Sequence, residues 1–91
     1  MNTSDEFLKS CVGKYYDSDI ALIKIISFDE TADEEYKLYG EFVDLGDVVS
    51  IYRTQVPVWD VQGEAISEVR YETFKNKVLK NLGLKLIGVR E

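Results

Sequence analysis

"IALIKIISF", residues 20–28, decides the fold. Successive side chains of an extended chain point to opposite sides, so Ile20, Leu22 and Ile26 share one face and Ala21, Ile23 and Ile25 the other. Both faces are apolar, and from Ile20 to Ile26 Lys24 is the one interruption. Such a strand needs cover on two sides and belongs in the middle of a sheet.

The flanking segments extend the sheet. "EYKLYGEFV", residues 35–43, alternates Tyr36, Leu38 and Phe42 against Lys37, Tyr39 and Glu41. "VVSIYRTQV", residues 48–56, follows with Val49 and Ile51 opposite Val48, Ser50 and Tyr52. Between them "DLGD", Asp44 to Asp47, supplies Gly46 for the positive φ of a tight antiparallel connection. Pro57 has no amide hydrogen to give a ladder, so "VPVWDVQGE" is expected as an edge strand or an extended exit from the sheet. An exposed edge there would permit dimerisation by strand pairing.

Helices are expected at both ends. Thr3 and Glu6 stand at capping-box spacing, with Phe7, Leu8, Cys11 and Val12 on one face and Gly13 to close the helix. Tyr71, Phe74, Val78 and Leu82 recur at helical steps beside Leu79, which predicts an amphipathic helix over Tyr71 to Leu82. Lys75, Lys77 and Lys80 suit its later turns. Gly83 would end it, and "LKLIGV", residues 84–89, reads as a last strand. The expected fold is α+β: one domain over residues 1–91, a small curled antiparallel sheet or partial barrel of five to six strands, a short N-terminal helix and a C-terminal amphipathic helix.

Composition narrows the chemistry. The chain has 91 residues, one cysteine and no histidine. The commonest general base and metal ligand is therefore absent, and Cys11 has no partner for a thiolate–imidazolium pair, a zinc site or an internal disulfide. The six glycines are scattered, without a phosphate-binding loop. The segment from Asp29 evokes a calcium loop, but Glu34 stands where the bend needs glycine and Gly40 where a bidentate Glu is needed. Asp17 with Asp19, or Asp44 with Asp47, would be the best carboxylate pairs for an ion, at spacings common in turns. No catalytic residue, cofactor or metal is expected. "MNTSDEFLKS" has no basic start and apolar stretch of the leader type, and no apolar run approaches the roughly 18 residues of a membrane span, so a cytoplasmic protein is expected.

The charge is unevenly spread. Residues 1–60 carry thirteen Asp and Glu against five Lys and Arg, and residues 61–91 carry four against six, within a net charge of −6. "FDETADEEYKLYG", residues 28–40, alone holds five carboxylates and one lysine. One reading is a polar hairpin loop that protects a sheet edge. The other joins Asp29, Glu30, Asp33, Glu34 and Glu35 with Asp17, Asp19, Asp44 and Asp47 as one negative face, with Tyr36 and Tyr39 as aromatic contacts. Such a face steers a basic partner, for instance a nucleic-acid-binding protein, and repels nucleic acid itself. A second candidate is "YRTQVPVWDVQ", residues 52–62, in which Tyr52, Arg53 and Trp59 would pocket an anionic planar ligand such as a nucleotide. Arg70, Lys75 or Lys77 would assist.

In size, acidity, lack of histidine and lack of a catalytic motif, the whole chain resembles small acidic phage-encoded proteins, including anti-CRISPR and other anti-defence inhibitors. The resemblance rests on no diagnostic motif and assigns no residue. It implies a stoichiometric inhibitor that masks a host nucleic-acid-binding surface, or a sponge for a signalling nucleotide.

Overall fold

The computed structural model describes residues 4–44 and 50–90, with side chains as far as residue 81. Helix α1 (Asp5–Cys11) leads into β1 (Tyr15–Asp17), β2 (Ala21–Phe28), β3 (Leu38–Asp44) and β4 (Ile51–Val56). A 3-10 turn (Val58–Val61) and helix α2 (Glu68–Arg90) complete the order. The strands form one antiparallel sheet in the order β1-β2-β3-β4, each paired with its neighbour in the chain. Among the described residues the sheet has four strands and does not close into a barrel, against the five or six expected.

The two apolar faces of β2 each receive a layer. Ala21, Ile23 and Ile25 pack with Leu8 and Cys11 of α1, Leu38 and Phe42 of β3, and Val58 and Val61 of the 3-10 turn. Leu22 joins Val43, Tyr71 and Val78 beneath α2. The molecule is therefore a sheet between two layers, the arrangement that a strand apolar on both sides requires. Ile20 is the exception. It lies in the β1–β2 turn, 71% exposed, where Asp19 takes φ +72°. Ile26 is the extra residue of a bulge, since Ile25 pairs with Gly40 and Ser27 with Tyr39.

The caps differ in part from expectation. Thr3 lies outside the described residues, and the α1 N-cap is Ser4, whose hydroxyl accepts the Phe7 amide at 3.2 Å. Asp5 and Glu6 fill the first turn, where negative charge suits the dipole. Leu8 and Cys11 are buried, whereas Phe7 and Val12 stay exposed. Gly13 takes φ +86°, and its amide donates to the Ile25 carbonyl at 2.8 Å, bringing the chain back beside β2. β3 and β4 pair as expected, down to Val43 opposite Ile51, while the connection at 45–49, including Gly46, Asp47, Val48 and Val49, lies outside the described residues.

Two segments are corrected. Residues after Pro57 do not continue as an extended strand: Pro57, at φ −62° and ψ 145°, leads into the 3-10 turn that buries Val58 and Val61. Nor is "LKLIGV" a strand, because α2 runs unbroken through Gly83 to Arg90. A glycine inside a helix costs only about 1 kcal/mol relative to alanine, too little to end one. No helix among the described residues is long and apolar enough to cross a membrane.

Candidate binding surfaces

The connectivity separates the acidic residues. Ala21 pairs with Asp44, so the β1–β2 turn and the β3–β4 connection share one end of the sheet. The connection from Asp29 to Lys37 lies at the other. The eight residues of β2 span about 25 Å between them at roughly 3.3 Å per residue. The eight described carboxylates of the expected face therefore form two terminal groups and not a single face; Asp47 lies outside the described residues.

At the first end the Asp17 carboxylate builds local structure. Asp17 Oδ1 accepts the Asp19 amide at 2.9 Å, which supports the left-handed turn, and Oδ2 pairs with Arg70 at 2.7 Å, tying β1 to the start of α2. Arg70 is thereby used structurally, away from the nucleotide pocket expected for it.

The second end is different. Asp29 Oδ1 accepts both the amide and the hydroxyl of Thr31, at 2.9 and 2.6 Å, and these bonds hold its carboxyl below the usual range. The rest of the acidic run is open. Glu30, Asp33, Glu34 and Glu35 are exposed and make no ion pair among the described residues. Lys37, the lone cation of the stretch, turns to Asp5 of α1 at 3.1 Å. Beside the run the Val58 amide donates to the Glu35 carbonyl at 3.0 Å, and Trp59 meets Tyr36 edge-on at 6.0 Å between ring centres. Trp59 remains 55% exposed, and Tyr39 is exposed nearby. Behind the run a cleft of about 470 Å³ is lined by Lys9, Phe28, Asp29, Glu30 and Thr31, with the Lys9 ammonium 5.5 Å from the Phe28 ring centre.

The pocket of Tyr52, Arg53 and Trp59 is not assembled. Adjacent residues of a strand point to opposite faces. Tyr52 stacks on Phe42 at 5.2 Å and Arg53 reaches Glu41 on the α2 side, while Trp59 belongs with Tyr36.

The polar centre of the molecule is Glu41, which strand alternation marks only as facing away from Phe42. It is 5% exposed beneath α2. Its Oε1 accepts the Tyr71 hydroxyl at 2.7 Å and the Lys75 ammonium at 2.6 Å, and its Oε2 accepts Arg53 Nε at 3.3 Å. Burial alone would raise the Glu41 carboxyl, but the bonds from Lys75 and Tyr71, the charge of Lys75 and the bond from Arg53 together hold it below its usual range. Burial, and then donation to Glu41, pushes the Tyr71 hydroxyl up. The carboxylate is thus kept ionised and fully partnered, which suits an anchor for α2 better than a proton acceptor.

Comparison with family models, with curated proteins and with solved structures finds no match for this chain.

Proposed function

We propose that the protein is a non-enzymatic binding protein that docks a basic partner through the acidic run at 29–35 and the aromatic pair Tyr36–Trp59. The observation that carries this reading is the exposed Trp59, fixed against Tyr36 and joined through Val58 to the backbone of Glu35. Exposed tryptophan and tyrosine on a rigid base are the usual anchors of protein interfaces, and unpaired carboxylates around them supply steering and orientation. The cleft at Phe28 carries the Asp29 and Glu30 carboxylates on its rim, and Lys9 of the same chain already covers the Phe28 ring, so an incoming lysine or arginine would meet the carboxylates and not the ring.

A surface that binds nucleic acid is the basic surface this patch would suit, with the carboxylates standing where phosphates would. The resemblance to phage-encoded anti-defence inhibitors points the same way: a cytoplasmic protein that occludes such a surface stoichiometrically. The test is capture of the partner from native-host lysate, followed by quantitative binding of the purified pair. D33K/E34K/E35K should abolish association while leaving the melting temperature unchanged, and D17N/D19N should bind as wild type. Affinity should fall steeply with salt, because exposed charges are screened over about 10 Å at roughly 0.1 M. Duplex DNA or RNA should compete for the partner. A partner held equally well by the triple reversal would overturn the proposal.

A further inference from the structure

The α2 side of the sheet holds a second, oppositely charged feature, independent of the acidic run. Strand register places Lys24, Glu41 and Arg53 in one row across β2, β3 and β4. Lys75 of α2 reaches that row, and a cleft of about 270 Å³ is lined by the four side chains together with Val12, Gly13, Ile25 and Ile26. Three cations and one carboxylate line it, two of the cations paired with that carboxylate. Both oxygens of Glu41 are already engaged, whereas the Lys24 ammonium makes no side-chain hydrogen bond or ion pair among the described residues. Arg53 uses only Nε on Glu41, leaving its outer guanidinium nitrogens free of protein partners among the described residues.

A surplus of about two positive charges in a cleft of a chain whose net charge is −6 is not a consequence of composition. Like charges converging on a partly desolvated space repel one another, and an anion between them relieves that repulsion. Glu41, itself part of the cleft wall, fixes two of the three donors, Arg53 and Lys75. The volume decides the class of ligand, since drug-sized molecules take roughly 300–1,000 Å³. From these relations we propose that the cleft between α2 and the sheet binds a small oxyanion, inorganic phosphate or the phosphoryl end of a phosphomonoester, held by Lys24, the Arg53 guanidinium and Lys75.

The experiment titrates sodium phosphate, adenosine monophosphate and sodium chloride at matched ionic strength into the full chain. Thermal unfolding and backbone amide shifts are followed together. Phosphate should raise the melting temperature beyond chloride, as a ligand of the folded state must, with shifts centred on Lys24, Arg53 and Gly13. Lys24→Gln should weaken phosphate binding about tenfold or more, the loss of one charge-assisted bond, without lowering the unliganded melting temperature, since it also relieves repulsion among the cations. Tighter binding of the monophosphate than of phosphate would identify an esterified ligand, and equal binding a free oxyanion; either supports the site. Identical responses to phosphate and chloride, shifts centred elsewhere, or undiminished binding by Lys24→Gln would overturn it.

Discussion

The Tyr71 hydroxyl donates to Glu41 Oε1 at 2.7 Å across thirty residues of chain, and this bond joins α2 to the centre of the sheet. Lys75, one helical turn on, reaches the same oxygen at 2.6 Å. The helix is thus registered on β3 by a single carboxylate, with Leu22, Val43 and Val78 packed around it.

Replacing Glu41 by Gln should therefore destabilise the fold more than an exposed change would. Loss of the charge leaves Lys75 and Arg53 without a counter-ion, and breaking one side of a buried pair costs about 3 kcal/mol. Tyr71→Phe removes one hydrogen bond to a charged group and should cost about 1.5 kcal/mol. Urea unfolding of the two single variants and the double variant checks this. The double should lose less than the sum of the singles, because both act on one bond.

Acid should weaken the same clamp. The folded Glu41 carboxyl lies below its usual range, so the unfolded chain takes up the proton first. Its stabilisation is fully present above the unfolded value of about 4.3 and is lost as pH falls from there through the folded value. Asp60 acts in the other direction: burial raises its carboxyl, so its protonation favours the folded state. Stability measured from pH 7 to pH 3 should fall for the wild type, and the difference between wild type and Glu41→Gln should shrink toward the acid end.

Two glycines should fail for different reasons. An added Cβ at Gly40 would lie 2.6 Å from the Lys24 carbonyl oxygen and 2.9 Å from Val56 Cγ2, inside the paired sheet. Gly40→Ala should cost about 1–3 kcal/mol through overpacking. At Gly13 nothing lies within 4 Å, but φ is +86°. Gly13→Ala should cost about 1–2 kcal/mol through backbone strain alone. Mutation of Val56 to Ala should relieve part of the first penalty and none of the second, as thermal unfolding would show.

Cys11 should be silent toward thiol reagents in the folded protein. It is fully buried, with its sulfur donating to the Phe7 carbonyl at 3.4 Å. A coloured disulfide reagent should label no thiol in native buffer and one per chain in denaturant. Fast labelling of the native state would mean that α1 opens from the sheet.

Much of this architecture was legible in the sequence where periodicity is strong. The two apolar faces of "IALIKIISF" required layers on both sides, and α1 and α2 supply them. The helical steps from Tyr71 to Val78 place Tyr71 and Val78 in the core. "LKLIGV" is ambiguous in the sequence because a short apolar run fits either period, and the glycine before it suggests a stop that the helix does not make. The acidic run and Trp59 were visible separately. Their adjacency was not, since it depends on the 3-10 turn carrying Val58 back to Glu35. Glu41 left still less trace. Alternation gives the face of a residue, but its burial and its partners come from a helix thirty residues away.

The meander has a kinetic meaning as well. Connections of three, nine and six residues join the strands, so every ladder closes over a short span. Loop closure grows only slowly with length, about 0.6 kcal/mol per doubling, and here each closure is small from the start. Pairing strands that are neighbours in the chain closes at lower entropic cost than pairing remote ones, which favours early formation of the hairpins. The sheet can zip hairpin by hairpin as the polypeptide emerges, leaving α2 to dock last on a surface already in place.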